Sequence, residues 1–149
     1  MVQRDMISDL ALSVFRLNRL MLDYGQHLLD LEGEKEVQIT VAGVLLPLLD
    51  REGLTLSELA RNLNMKAPTV TVIANRLEEK GLIRRERGTD DRRQVHLYLT
   101  TAGKVKAEHF KRVEKKVLGK MSDGIAKDNL KQTVETLKSV FSNLEGKAH

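Results

Sequence analysis

Apolar residues recur at helical intervals along most of the chain and alternate in one short stretch. From about Asp5 to Leu31, the positions Ile7, Leu10, Ala11, Val14, Phe15, Leu17, Leu20, Met21, Leu28 and Leu29 predict a long amphipathic helix, softened near Gly25. Glu32 to Gln38 is a charged connection. Thr40 is a candidate cap for a helix reaching Asp50, in which Pro47 removes the bond to the Gly43 carbonyl and predicts a kink or an early end. Leu56, Leu59, Ala60 and Leu63 form the stripe of a short helix; Val70, Ile73, Ala74 and Leu77 form that of a second. Val95, Leu97 and Leu99 then share one face of a strand. Beyond it, Phe110, Val113, Val117 and Met121 line a long helix capped by Thr100 or Thr101. Leu130, Val134, Leu137, Val140, Phe141 and Leu144 line a last one, from about Lys127 to Leu144.

Polar punctuation sharpens the middle of this pattern. Thr55 with Glu58 three residues on has the spacing of a capping box, in which hydroxyl and carboxylate each satisfy an orphan backbone N–H. Asn64-Met65-Lys66 is a turn, Pro68 suits the first turn of a helix because its missing N–H has no partner there, and Gly81 suits a left-handed C-terminal cap. Residues 82 to 87 and 93 to 99 read as a hairpin with a turn-rich tip from Gly88 to Asp91.

The two elements in this region carry distinctive surfaces. Away from its apolar stripe, the second helix presents Pro68, Val72, Asn75 and Glu79, flanked by Thr69, Thr71 and Arg76. Small hydroxyl, amide and methyl groups of this kind suit contact with base edges in a DNA groove, although plain solvation also accounts for an exposed polar face. The hairpin holds Arg84, Arg85, Arg87, Arg92 and Arg93, diluted by Glu86, Asp90 and Asp91. Guanidinium groups fork onto phosphates, so arginines on a hairpin beside such a helix point to DNA, with a solvated basic hairpin as the alternative.

From Leu54 to Gly103 the chain resembles the winged helix-turn-helix of the multiple-antibiotic-resistance regulator (MarR) family. The residues that carry the resemblance are RLEEKGLI, the triplet Asp91-Arg92-Arg93 and the LTTAG that follows. The resemblance implies that Arg93 enters the minor groove, that Asp91 orients it and that Arg92 adds a phosphate contact. It also implies a triangular dimer built from the N- and C-terminal helices, and release from DNA by anionic aromatic compounds. Phe15, Arg16, Tyr24 and Arg61 are the candidate ligand contacts. Val72 and Lys66 depart from the family pattern, standing where many relatives carry a base-reading polar side chain and a small capping residue.

Composition constrains the remaining classes. The 149 residues suffice for one substantial core, and a net charge of +4 favours an anionic partner only mildly. With no cysteine there is no disulfide framework and no thiol chemistry, as suits a reducing compartment. MVQRDMISDL lacks the apolar core of a secretory signal, and the run from Val41 to Leu49 is too short to span a bilayer, so a cytoplasmic location is expected. His27, His96, His109 and His149 have no metal-ligand spacing, and neither a phosphate-cradling glycine loop nor a nucleophile elbow is present. No cofactor or catalysis is therefore expected.

The expected fold is mainly α with a small β-hairpin wing. A DNA-binding lobe over about 40–100 lies between dimerisation helices at about 5–31 and 101–145, all within one domain over 1–149. The expected function is a homodimeric transcriptional repressor acting on a pseudo-palindromic double-stranded operator. Lys66, Pro68, Thr69, Thr71, Val72, Asn75, Arg76, Arg84, Arg87, Asp91, Arg92 and Arg93 are the candidate DNA contacts, and no membrane is involved. The alternative from another class is a winged-helix module that uses the same surface to bind a protein.

Overall fold

The computed structural model describes residues 2–33, 38–89, 91 and 93–145. Arg92 and His149 therefore lie outside the described residues. The chain divides into two compact units, residues 1–115 and 116–149.

In the first unit, α1 (Val2–Leu31) is followed by a single 3-10 turn at Ile39–Val41, α2 (Ala42–Asp50), β1 (Leu54–Thr55), α3 (Leu56–Asn62), α4 (Ala67–Glu79), β2 (Ile83–Arg87), β3 (Val95–Leu99) and the start of α5 (Thr101–Ser122). The strands form one antiparallel sheet in the order β1-β3-β2, with Leu54 opposite Leu97 and Ile83 opposite Leu99. Leu54, Leu97, Ile83 and Leu99 are all buried on it. Val44, Leu45 and Leu48 from α2, Leu59 from α3, and Val70, Ala74 and Leu77 from α4 join them in the core, with Ala107, Phe110 and Val113 from α5. The second unit holds the end of α5, a turn at 123–126 with Gly124 at φ +71°, and α6 (Lys127–Glu145), none of whose residues is buried.

Four expectations change in detail. The wing is not a two-stranded hairpin alone: Leu54 and Thr55 add a third strand, and Arg93 belongs to the turn rather than to β3. α1 runs unbroken past Gly25, because one glycine in a helix costs only about 1 kcal/mol relative to alanine. Thr40 caps nothing; it lies inside the 3-10 turn, and Val41 precedes α2 without a side-chain cap. Pro47 does not end α2 early: the helix continues to Asp50, and the Arg51 N–H bonds the Pro47 carbonyl at 2.9 Å.

Two helix ends set the turns that shape the lobe. After α3, Asn64 adopts φ +48°, its N–H reaches the Arg61 carbonyl, and the Met65 N–H reaches that of Ala60. After α4, Gly81 adopts φ +68°, with Gly81 N–H on the Glu78 carbonyl and Leu82 N–H on that of Leu77. Both are Schellman ends, and they satisfy carbonyls that the helices leave open.

Candidate nucleic-acid interface

α4 is built to show one face. Val70, Ala74 and Leu77 are buried, whereas Pro68, Thr69, Val72, Asn75, Arg76 and Glu79 are exposed and Thr71 is half-buried, its hydroxyl donating back to the Ala67 carbonyl at 2.9 Å. Lys66 occupies the N-cap without a side-chain bond to the helix, and Pro68 lies in the first turn. The first turn of α4 thus has no side-chain cap from Lys66, its Thr69 N–H turns back to the Lys66 carbonyl at 3.0 Å, and the helix dipole places partial positive charge at this end.

The wing strand β2 divides its arginines between two faces. Ile83, Arg85 and Arg87 alternate with Arg84 and Glu86. Arg84 stacks 4.8 Å from the centre of the Tyr98 ring and pairs with Glu86, so its charge is shared at the base of the wing. Arg85 turns toward α4: its Nη1 donates to Glu78 at 2.7 Å and its Nη2 to the Asn75 Oδ1 at 2.6 Å. Arg87 is exposed at the end of the strand. The sequence grouped Arg85 with the other hairpin arginines and did not set it apart; its position opposite Leu97, on the side of the sheet that holds Ile83, is the signal that distinguishes it from Arg84.

At the tip, the Gly88 N–H bonds the Gln94 carbonyl at 2.9 Å and the Gln94 N–H bonds the Asp91 carbonyl at 3.0 Å. The Asp91 carboxylate accepts the backbone N–H of Arg93 at 2.9 Å. Asp91 therefore shapes the turn from which the exposed Arg93 projects. Gly88 is required there, since a Cβ would come within 2.7 Å of the Asp91 carbonyl oxygen. The His96 Nδ1 lies 2.8 Å from the Gly53 carbonyl and ties the middle of β3 to the loop before β1.

Between α3 and the wing, a cleft of about 670 Å³ is lined by Arg51, Arg61 and Arg93 together with Thr55, Ser57, Glu58 and His96, among others. Arg51 also pairs with Glu58 at 3.2 Å. Of the four candidate ligand contacts, Arg61 lines this cleft, and Phe15, Arg16 and Tyr24 lie exposed on α1 and line none of it. Among the described residues no grouping of three His, Asp or Glu side chains has metal-site geometry, and no helix is long and apolar enough to cross a membrane.

A three-stranded sheet with a basic wing, packed on a helix–turn–helix whose second helix exposes small polar groups, defines a winged helix-turn-helix protein. The MarR family model matches residues 41–95. Over 104 residues the chain is 31% identical to the transcriptional regulator SarZ of Staphylococcus saprophyticus, covering 68% of this chain and 71% of that one. It is 29% identical over 127 residues to the transcriptional repressor MdtR of Bacillus subtilis, covering 85% and 80%. The structure of Streptococcus pneumoniae FabT in complex with DNA superposes with a TM-score of 0.71 at 28% identity, covering 96% of this chain and 98% of FabT. The chain belongs to the MarR family, and by that membership it is a DNA-binding transcriptional regulator rather than an enzyme.

Proposed function

We propose that this protein is a cytoplasmic repressor that binds a pseudo-palindromic operator as a homodimer and leaves it when a small anionic aromatic ligand binds. The observation that carries the reading is the face of α4, where Pro68, Thr69, Val72, Asn75 and Arg76 stand exposed next to an arginine-bearing wing. In this reading Thr69, Thr71, Val72 and Asn75 approach base edges in the major groove, with the Pro68 ring beside them, and Lys66 and Arg76 meet phosphates. Arg93 enters the minor groove from a turn braced by Asp91, while Arg84, Arg87 and Arg92 supply positive charge along the wing. FabT, a relative by fold and sequence, was solved bound to DNA, which supports the assignment.

Dimerisation is supported by apolar surface left uncovered. On α1, Ile7, Leu12, Phe15 and Leu20 are exposed, and on α6 so are Val134, Phe141 and Leu144. Patches of this kind mark association sites, and a C2 pair is the commonest closed arrangement. Two lobes related by such an axis read half-sites about one helical turn, roughly 34–36 Å, apart. Release follows if the ligand prefers a lobe spacing that misfits the operator, with Phe15, Arg16, Tyr24 and Arg61 as its contacts.

Selection of bound duplexes from a random pool, followed by affinities for the winner and a scrambled control across a salt series, tests the reading. A two-fold site, a specificity gap of about 4 kcal/mol or more and a steep salt slope are expected. Equal affinity for winner and control would overturn it. Addition of anionic aromatic compounds to the complex then tests release.

A further inference from the structure

We propose that Arg85 is a specificity-determining positioning residue, fixing through one guanidinium which end of the Asn75 carboxamide faces a base. The inference rests on the reading of α4 as the DNA-facing helix. Arg85 Nη2 lies 2.6 Å from the Asn75 Oδ1, and its Nη1 lies 2.7 Å from the Glu78 Oε2. A guanidinium offers only donors, so the end of the carboxamide turned toward it is the oxygen. Flipping the amide exchanges a charge-assisted bond for NH2 donors pressed against a cation, and such bonds are roughly twice as strong as neutral ones. Glu78 holds the other arm of the fork, three residues along the same helix from Asn75. The bond to Asn75 lies at the surface, but the Arg85 side chain is only 29% exposed, its bond to Glu78 is part-buried and its strand position is set by pairing with Leu97.

An unrestrained asparagine offers either oxygen or amide to a base edge and so tolerates both donors and acceptors. With its oxygen held by Arg85, the free end of Asn75 is the Nδ2 amide, a donor. Guanine O6 and N7, thymine O4 and adenine N7 accept such a bond in the major groove, whereas cytosine presents only its N4 donor. Arg85 thus gives Asn75 a fixed polarity from a neighbouring strand and needs no DNA contact of its own to do so.

The test is duplex selection with the full-length protein, Asn75→Ala, Arg85→Lys, Arg85→Met and the Asn75→Ala/Arg85→Lys pair, with thermal denaturation of each. Affinities are then measured on the four base variants at the position whose preference Asn75→Ala abolishes. Wild type is expected to reject cytosine there by roughly tenfold. Arg85→Lys keeps a cation for Glu78 but lacks the fork that also reaches Asn75. It is expected to lose most of the discrimination against cytosine while keeping its melting temperature and its preferences at other positions. Arg85→Met, which removes both arms, should lose that discrimination too. In the Asn75→Ala background the lysine should change nothing further. Unchanged rejection of cytosine by Arg85→Lys would overturn the proposal, as would an Asn75→Ala variant that selects the wild-type motif. Failure of wild type to enrich any site is a separate result, which removes the DNA reading and this inference together.

Discussion

Glu58 and Thr55 cap α3 reciprocally: the Thr55 N–H donates to Glu58 Oε2 at 2.8 Å and the Glu58 N–H donates to Thr55 Oγ1 at 3.2 Å. The Thr55 backbone N–H foremost, with the Thr55 hydroxyl donating to the same Oε2 at 3.1 Å and Arg51 beside it, holds the Glu58 carboxyl below its ordinary value. A depressed folded pKa means that the contribution is complete above the ordinary glutamate value of about 4.3 and is lost as pH falls through the folded value. Thr55→Ala is expected to lower unfolding free energy by about 1 kcal/mol in denaturant titrations at neutral pH, with the difference narrowing in acid. Gly103 shows a steric requirement instead, for a Cβ there would lie 1.8 Å from the Leu82 carbonyl oxygen. Gly103→Ala should cost roughly 1–3 kcal/mol or more, read as a fall in melting temperature. The capping pair was legible because its signal is local spacing. The steric need for Gly103 was not, because Leu82 lies 21 positions away in sequence and only the fold brings them together.

At the scale of elements, α3, α4 and α5 were legible because an apolar period coincided with a local end signal: the Thr55–Glu58 box for α3, Pro68 and Gly81 for α4, and Thr100 for α5. β1 was missed because two residues carry no period, and Leu54-Thr55 becomes a strand only through pairing with Leu97 and His96. The candidate face of α4 was visible as the complement of its buried stripe, whereas the link from Arg85 to Asn75 was hidden because adjacent arginines on a strand look alike until the sheet assigns them to opposite faces. Asp91 was expected to orient Arg93, and the contact found is with the Arg93 backbone N–H, which directs the turn. At this scale we expect Arg93→Ala to weaken operator binding by roughly 1–3 kcal/mol without lowering the melting temperature, as measured by fluorescence anisotropy. An unchanged affinity would remove the wing tip from recognition. Asn75→Ala should relax sequence preference at one position, and a loss shared equally by all sequences would mean that it reads no base.

For the molecule as a whole, the apolar stripes predicted on the first and last helices stand partly exposed on α1 and α6, with Phe15 77% and Phe141 50% accessible. Which surface meets which could not be read, because amphipathic period gives a face and not its partner. Phe15→Glu with Phe141→Glu is expected to shift sedimentation from dimer to monomer and to weaken operator binding sharply while the circular dichroism of the lobe persists. A variant that remains dimeric would place the contact elsewhere. The junction behind α4 bears on how such an assembly would respond. Thr100 Oγ1 donates to the Gly81 carbonyl at 2.6 Å and accepts the Gly103 N–H at 3.0 Å, and the Thr100 N–H bonds the Leu82 carbonyl. The end of α4 and the first turn of α5 are thereby joined through main-chain groups and the one short Thr100 side chain. A tilt imposed on the root of α5 would have a short hydrogen-bonded path to the end of α4, like a key turned by its shank.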